Sequence, residues 1–174
     1  MSRPFAVRRT IAAIATAAAL GTGWALFRPE LLLVNQTVNE AFTVARAAAA
    51  AAAPSETSEA LTSGQFQSIA HDTMGTATVH QLPNNKRVLR LSGGFATSNG
   101  PDLRVYLVAA KSAANDASVK QAGFLDLGRL KGNRGDQNYA LPDGVDLSRY
   151  GAVSIWCRRF GVNFAAASLA PATG

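Results

Sequence analysis

The chemistry open to this chain starts from a single cysteine. Cys157 is the only thiol in 174 residues, so no disulfide can form within the chain. A lone thiol can pack as a small apolar group, pair with another molecule or react as a thiolate. Its neighbours argue in two directions. In a regular strand Cys157 shares a face with Val153 and Ile155, while Ser154, Trp156 and Arg158 point the other way. That alternation sends the thiol toward a core, where cysteine is inert. Yet Arg158 and Arg159 follow at once, and guanidinium groups beside a thiol favour the reactive thiolate. Gly161 offers a bend that would open the site. A structural role and a redox role for Cys157, with Trp156, Arg158 and Arg159 nearby, both stand as expectations.

The remaining candidates are sparser. His71 and His80, with Met74 between them, carry donor atoms suited to haem or copper. No Cys-x-x-Cys-His attachment motif accompanies them, and His80 falls on the face of its strand that carries Thr76 and Thr78. A zinc site needs three or four clustered ligands, and none is visible. Asp102, after Pro101, and Asp136, in Gly135-Asp136-Gln137, read first as turn-making carboxylates, with lining a polar ligand pocket or pairing with Arg104 or Arg134 as the alternatives. No nucleophile–base pair and no phosphate-cradling glycine loop appears. No catalytic residue and no cofactor is therefore assigned.

These side chains need a scaffold, and the pattern from Gly64 onward is two-residue alternation. Gly75–Gln81 and Arg87–Leu91 flank the turn residues Pro83-Asn84-Asn85-Lys86, which predicts a hairpin. Leu103, Val105 and Leu107 alternate with Arg104 and Tyr106 in a half-buried strand. Phe124–Gly128, Asn138–Leu141, Ala152–Cys157 and Val162–Leu169 complete a set of short strands. Ala109–Ala122 is read as either a helix or a loop. Gly, Pro and Asn punctuate the whole stretch, so the fold class expected is all-β, a small antiparallel β-sandwich or barrel.

The N-terminal third is different. Arg3, Arg8 and Arg9 precede an uncharged run over 10–27, about 27 Å long as a helix and so close to the hydrocarbon thickness of a bilayer. The arginines on one side, with Trp24 and Phe27 at the other end, predict an uncleaved transmembrane signal-anchor. A cleaved signal peptide is the rival reading. With an anchor, residues 1–9 form a cytoplasmic stub and the C-terminal domain lies outside, periplasmic or extracellular. Residues 28–63 are read as a juxtamembrane helix, with Val34, Val38, Phe42 and Ala45 at helical spacing, followed by an alanine-rich linker. The β-domain then covers 64–170. From Leu61 on, 12 Lys and Arg stand against 7 Asp, a net charge of +5, but they are scattered without interleaved aromatics. That excludes a nucleic-acid surface from the expected partners.

Several of these stretches also resemble one family. Leu89-Arg90-Leu91, Asn99–Leu107, Leu127–Gly132, Gly135–Tyr139 and Val153–Cys157 are similar, in that order, to the DM-13 domain. The likeness spans about residues 61–170, and the segment from Gly23 to Leu31 resembles the N-termini of bacterial members. The family occurs beside haem- or sugar-binding DOMON domains and is described as an electron-transfer domain, largely because of a characteristic cysteine that maps to Cys157. The resemblance implies an extracytoplasmic β-fold, a redox role and a redox partner protein. The alternative is a non-catalytic cell-surface module that recognises a protein or glycan, with a structural cysteine.

Overall fold

The computed structural model describes residues 34–41 and 58–172, together with Ala15, Thr16, Ala18, Gly21 and Thr22. Those last five are helical, and the Thr22 hydroxyl donates to the Ala18 carbonyl at 2.8 Å. The rest of the expected anchor lies outside the described residues. Among those described, no helix is long and apolar enough to cross a membrane.

The alternation read from Gly64 onward folds as nine strands. They are β1 (Glu59–Ser68), β2 (Thr73–Gln81), β3 (Arg87–Thr97), β4 (Leu103–Val108), β5 (Phe124–Arg129), β6 (Gln137–Ala140), β7 (Ala152–Cys157), β8 (Val162–Ser168) and β9 (Ala170–Pro171). All named pairings are antiparallel, in the order β5-β4-β7-β8-β1-β2-β3-β6, with β9 on β1. The fold class is all-β, a nearly closed antiparallel barrel or sandwich. The predicted hairpin forms with Gln81 opposite Arg87, its turn closed by Leu82 N–H donating to the Lys86 carbonyl and by Asn85 at φ 62°.

β1 joins the two halves. Its first part pairs with β2 and its last three residues pair with β8. Gly64 sits where β1 passes from one to the other, and a Cβ there would lie 2.0 Å from the Ser168 carbonyl oxygen, so no side chain fits. The inward residues of both halves make one apolar core. Ala77, Val79, Leu89, Leu91, Val105, Leu107, Val153, Ile155 and Cys157 are all fully buried in it.

The half built from β4, β7 and β8 is buried on its outer face as well. There Tyr106, Trp156 and Ala166 pack against Ala113 and against Val119 of a short helix, α1 (Asp116–Ala122). That helix falls inside the stretch the composition left open between helix and loop. Asn115 caps it, accepting from Ser118 N–H while the Ser118 hydroxyl accepts from Asn115 N–H.

The expected juxtamembrane helix is corrected over 34–41, its described part. Residues 34–41 are extended and lie along the 131–138 segment, with Thr37 in a parallel bridge to Arg134. Val38 and Glu40 N–H donate to the Arg134 and Asp136 carbonyls, both at 2.9 Å, and Arg134 N–H donates to Gln36 O at 3.2 Å. Backbone addition at an unsatisfied edge outweighs the helical spacing of the valines. The first strand also begins at Glu59, so its residues up to Ser63, read as the end of the linker, belong to the sheet.

Candidate functional site

Cys157 ends β7, opposite Leu103 of β4 and Val162 of β8. Partners directly across a ladder share a face, so its thiol lies among apolar side chains, and it is fully buried. Gly161 N–H donates to the Cys157 carbonyl at 2.8 Å and closes the turn into β8. The bend read from Gly161 is present, at φ 66°, but the thiol stays covered. A bulge between Ile155 and Trp156 sets Ile155 across from Ala165 and Trp156 across from Asn163. Phe164 is the extra residue, and it reaches the core beside Cys157's face of the sheet.

The three residues named with Cys157 go elsewhere. Trp156 occupies the opposite face of β7, with the Lys120 ammonium 5.5 Å from its ring centroid. Arg159 lies exposed in the turn. Arg158 leaves the strand and joins a charged cluster around Asp102. Its backbone N–H donates to Asp102 O at 2.9 Å, and its Nε donates to Asp102 Oδ2 at 2.8 Å. Asp102 Oδ1 accepts from Arg104 Nε at 3.1 Å and lies 3.7 Å from Arg129 Nε; Arg104 also reaches Asp126 at 3.4 Å. Burial alone would raise the Asp102 pKa, but the hydrogen bonds from Arg104 and Arg158 outweigh it and hold the carboxyl below its ordinary value. Asp102 is thus the hub of an ion-pair network, more than a turn-maker. Asp136 pairs with Arg90, and not with Arg134.

Next to this cluster is an open cavity of about 350 Å³, lined among others by Val34, Gln36, Asn99, Leu103, Arg129 and Leu130. Leu103 is the link between the two: it lies beside Cys157 in the ladder and also lines the cavity. Two of the lining residues, Val34 and Gln36, come from the extended strap.

The His71, Met74 and His80 set is not brought together. His71 stacks on Phe164 with ring centroids 3.8 Å apart, just before β2, whereas His80 lies near the far end of that strand. The seven residue steps from Thr73 to His80 alone span roughly 23 Å. Met74 is exposed. Burial and the Arg90 charge lower the pKa of His80, which keeps it neutral near pH 7. Among the described residues no group of three or more His, Cys, Asp or Glu could hold a metal ion.

Two buried amides were missed in the sequence. Gln137 accepts from Lys131 and Gly132 N–H and from the Tyr139 hydroxyl, and donates to Gly132 O at 2.7 Å. Burial pushes the Tyr139 pKa far up, so its hydroxyl remains a donor. Asn163 accepts from Ser154 Oγ at 2.7 Å and donates to Ala113 O at 2.8 Å, while its N–H donates to Asp116. An isolated polar letter inside an apolar run was the available signal for Asn163.

Against known proteins, a family model described as "Electron transfer DM13" matches residues 65–169. No curated protein and no solved structure matches the chain.

Proposed function

Because the chain belongs to the DM13 electron-transfer family, we propose that it works as a membrane-tethered, extracytoplasmic electron-transfer domain with Cys157 as its redox residue. The observation that carries the cysteine's role is its place in the ladder. Cys157 pairs with Leu103 in the ladder, and Leu103 also lines an open cavity, the side from which a partner would approach. A single thiol has no internal disulfide to cycle through. Its oxidised forms are a sulfenic acid, made by a peroxide that leaves as water or an alcohol, or a mixed disulfide, made when the thiolate attacks a partner protein's disulfide and the partner's second sulfur leaves as a thiolate. The tether rests on the uncharged run over 10–27 and on the arginines that precede it.

The complete burial of Cys157 favours a second reading, a cell-surface module recognising a protein or glycan, in which the cysteine only packs. One experiment separates the two. The native full chain is treated with a thiol reagent and with peroxide, followed by intact mass, and is compared with the unfolded chain. Labelling or reversible oxidation of the native protein supports the redox role. Reaction only after unfolding, with activity in cells retained by Cys157→Ala, supports the recognition module. Alkaline extraction of membranes tests the tether: a chain released like a peripheral protein has no anchor.

A further inference from the structure

The Asp102 cluster holds more positive charge than its own carboxylates balance. Three guanidinium groups (Arg104, Arg129 and Arg158) face Asp102 and Asp126. Arg104 is largely buried and bonds both carboxylates. Arg129 and Arg158 are arranged differently. Their side chains are 65% and 55% exposed, while that of Asp102 is 12% exposed. Arg158 donates its Nε to Asp102 at 2.8 Å, Arg129 keeps its Nε 3.7 Å from the other oxygen as an ion pair without a hydrogen bond, and among the described residues no other acceptor meets the terminal nitrogens of either. A guanidinium group carries most of its donors on those nitrogens, in a rigid planar fork that matches a carboxylate or phosphate. For Arg158, holding the Nε edge fixes the fork's direction before any ligand arrives, which lowers the entropy cost of using it; Arg129 is kept near by charge and leaves its whole fork to solvent.

Arg129 also lines the cavity, where it meets an apolar wall of Val34, Leu103 and Leu130 and the amides of Gln36 and Asn99. A volume of about 350 Å³ lies within the range of small-molecule sites. We propose that Arg129 and Arg158, which pair with the two oxygens of Asp102, form an anion clamp for a small organic acid whose apolar body rests in this cavity. Arg129 meets the acid group directly. Arg158, on the other oxygen of Asp102, supplies the second positive charge. The strap contributes Val34 and Gln36, so the site is complete only with residues 34–41 in place.

The test follows the arginine Nε–H resonances of the ¹⁵N-labelled full chain in detergent micelles during titration with benzoate, inorganic phosphate and neutral benzamide. A saturable shift of the Arg129 signal with benzoate, and none with benzamide, is the expected result. Arg129→Gln weakens benzoate binding about ten-fold or more, as loss of one charge-assisted contact requires. Arg129→Lys, which keeps charge but not the fork, weakens it less, and Lys86→Gln, in the distant hairpin, leaves it unchanged. Backbone amide spectra confirm that each variant is folded. Tighter binding of benzoate than phosphate supports the apolar wall, and equal binding supports the clamp alone. Absence of a saturable shift at Arg129 with either anion, or unchanged binding in folded Arg129→Gln, overturns the proposal.

Discussion

Two segments cover the sheet from outside, α1 over β4, β7 and β8 and the 34–41 strap along the 131–138 segment, and they are attached by opposite means. The helix is held by apolar contact, with Val119 and Ala113 on Tyr106 and Trp156, and by one buried amide, Asn163. The strap is held almost wholly through backbone hydrogen bonds and the polar ends of Glu40 and Asn35. Its bed is shaped by glycine. A Cβ on Gly132 would lie 2.4 Å from Gln36 O, and one on Gly135, at φ 87°, would lie 2.2 Å from Val38 O. A cover made of side chains announces itself in composition, whereas one made of backbone does not.

Breaking the organiser of each bed tests this contrast most severely. Gln137→Leu strands the Gly132 N–H, the Gly132 carbonyl and the hydrogen of the Tyr139 hydroxyl in the interior, while the Lys131 N–H keeps the Tyr139 oxygen. It should cost about 4 kcal/mol, read from urea denaturation midpoints. Asn163→Ala removes fewer contacts, so about 3 kcal/mol is expected, with near-UV dichroism from Trp156 changing as α1 loosens. Equal losses in the two variants would erase the distinction between the beds.

Gly135→Val is the sharper probe, since it strikes the strap's seat directly. It adds a side chain at positive φ and collides with Val38, for a loss of about 2 kcal/mol. Hydrogen exchange should then speed up at the Val38 and Glu40 amides while Val153 and Ile155 stay protected. Loss of protection throughout would mean that strap and barrel unfold as one unit.

The smallest effect comes from Glu40→Gln. Burial alone would raise the Glu40 pKa, but bonds from Lys131 and from Asn138 N–H lower it below the ordinary 4.5. Its stabilising contribution is therefore full above the unfolded value and disappears as pH falls through the lower folded value. Both partners are partly in solvent, so about half a kcal/mol is expected at pH 7. The variant and the parent should converge in stability below that folded value. A gap that widens on acidification would contradict the ion pair as its source.

The same contrast explains what was legible in the sequence. Leu103/Val105/Leu107 and Val153/Ile155/Cys157 face one core because strand alternation fixes side-chain direction locally. The β2–β3 turn was legible for the same reason. Val34 and Val38 satisfy a helical pattern equally well, and only the edge offered by Arg134 and Asp136, about a hundred residues away, selects the extended form. The Asp102 hub was half visible, because Arg104 is a sequence neighbour and Arg158 arrives through the β4–β7 pairing. Burial of Cys157 followed from alternation, and its closeness to a cavity did not.

The double membership of β1 has a consequence for assembly. Glu59–Ser68 is the first of the described strands in chain order, and its early part pairs with its sequence neighbour β2. Its last residues wait for Ala165–Ala167, nearly the end of the domain. The barrel is therefore fastened by β1 and β8, and closure has to follow synthesis of almost the entire domain. Until then the Phe66 end of β1 remains a bare edge, the stretch of this domain most in need of shielding while it folds.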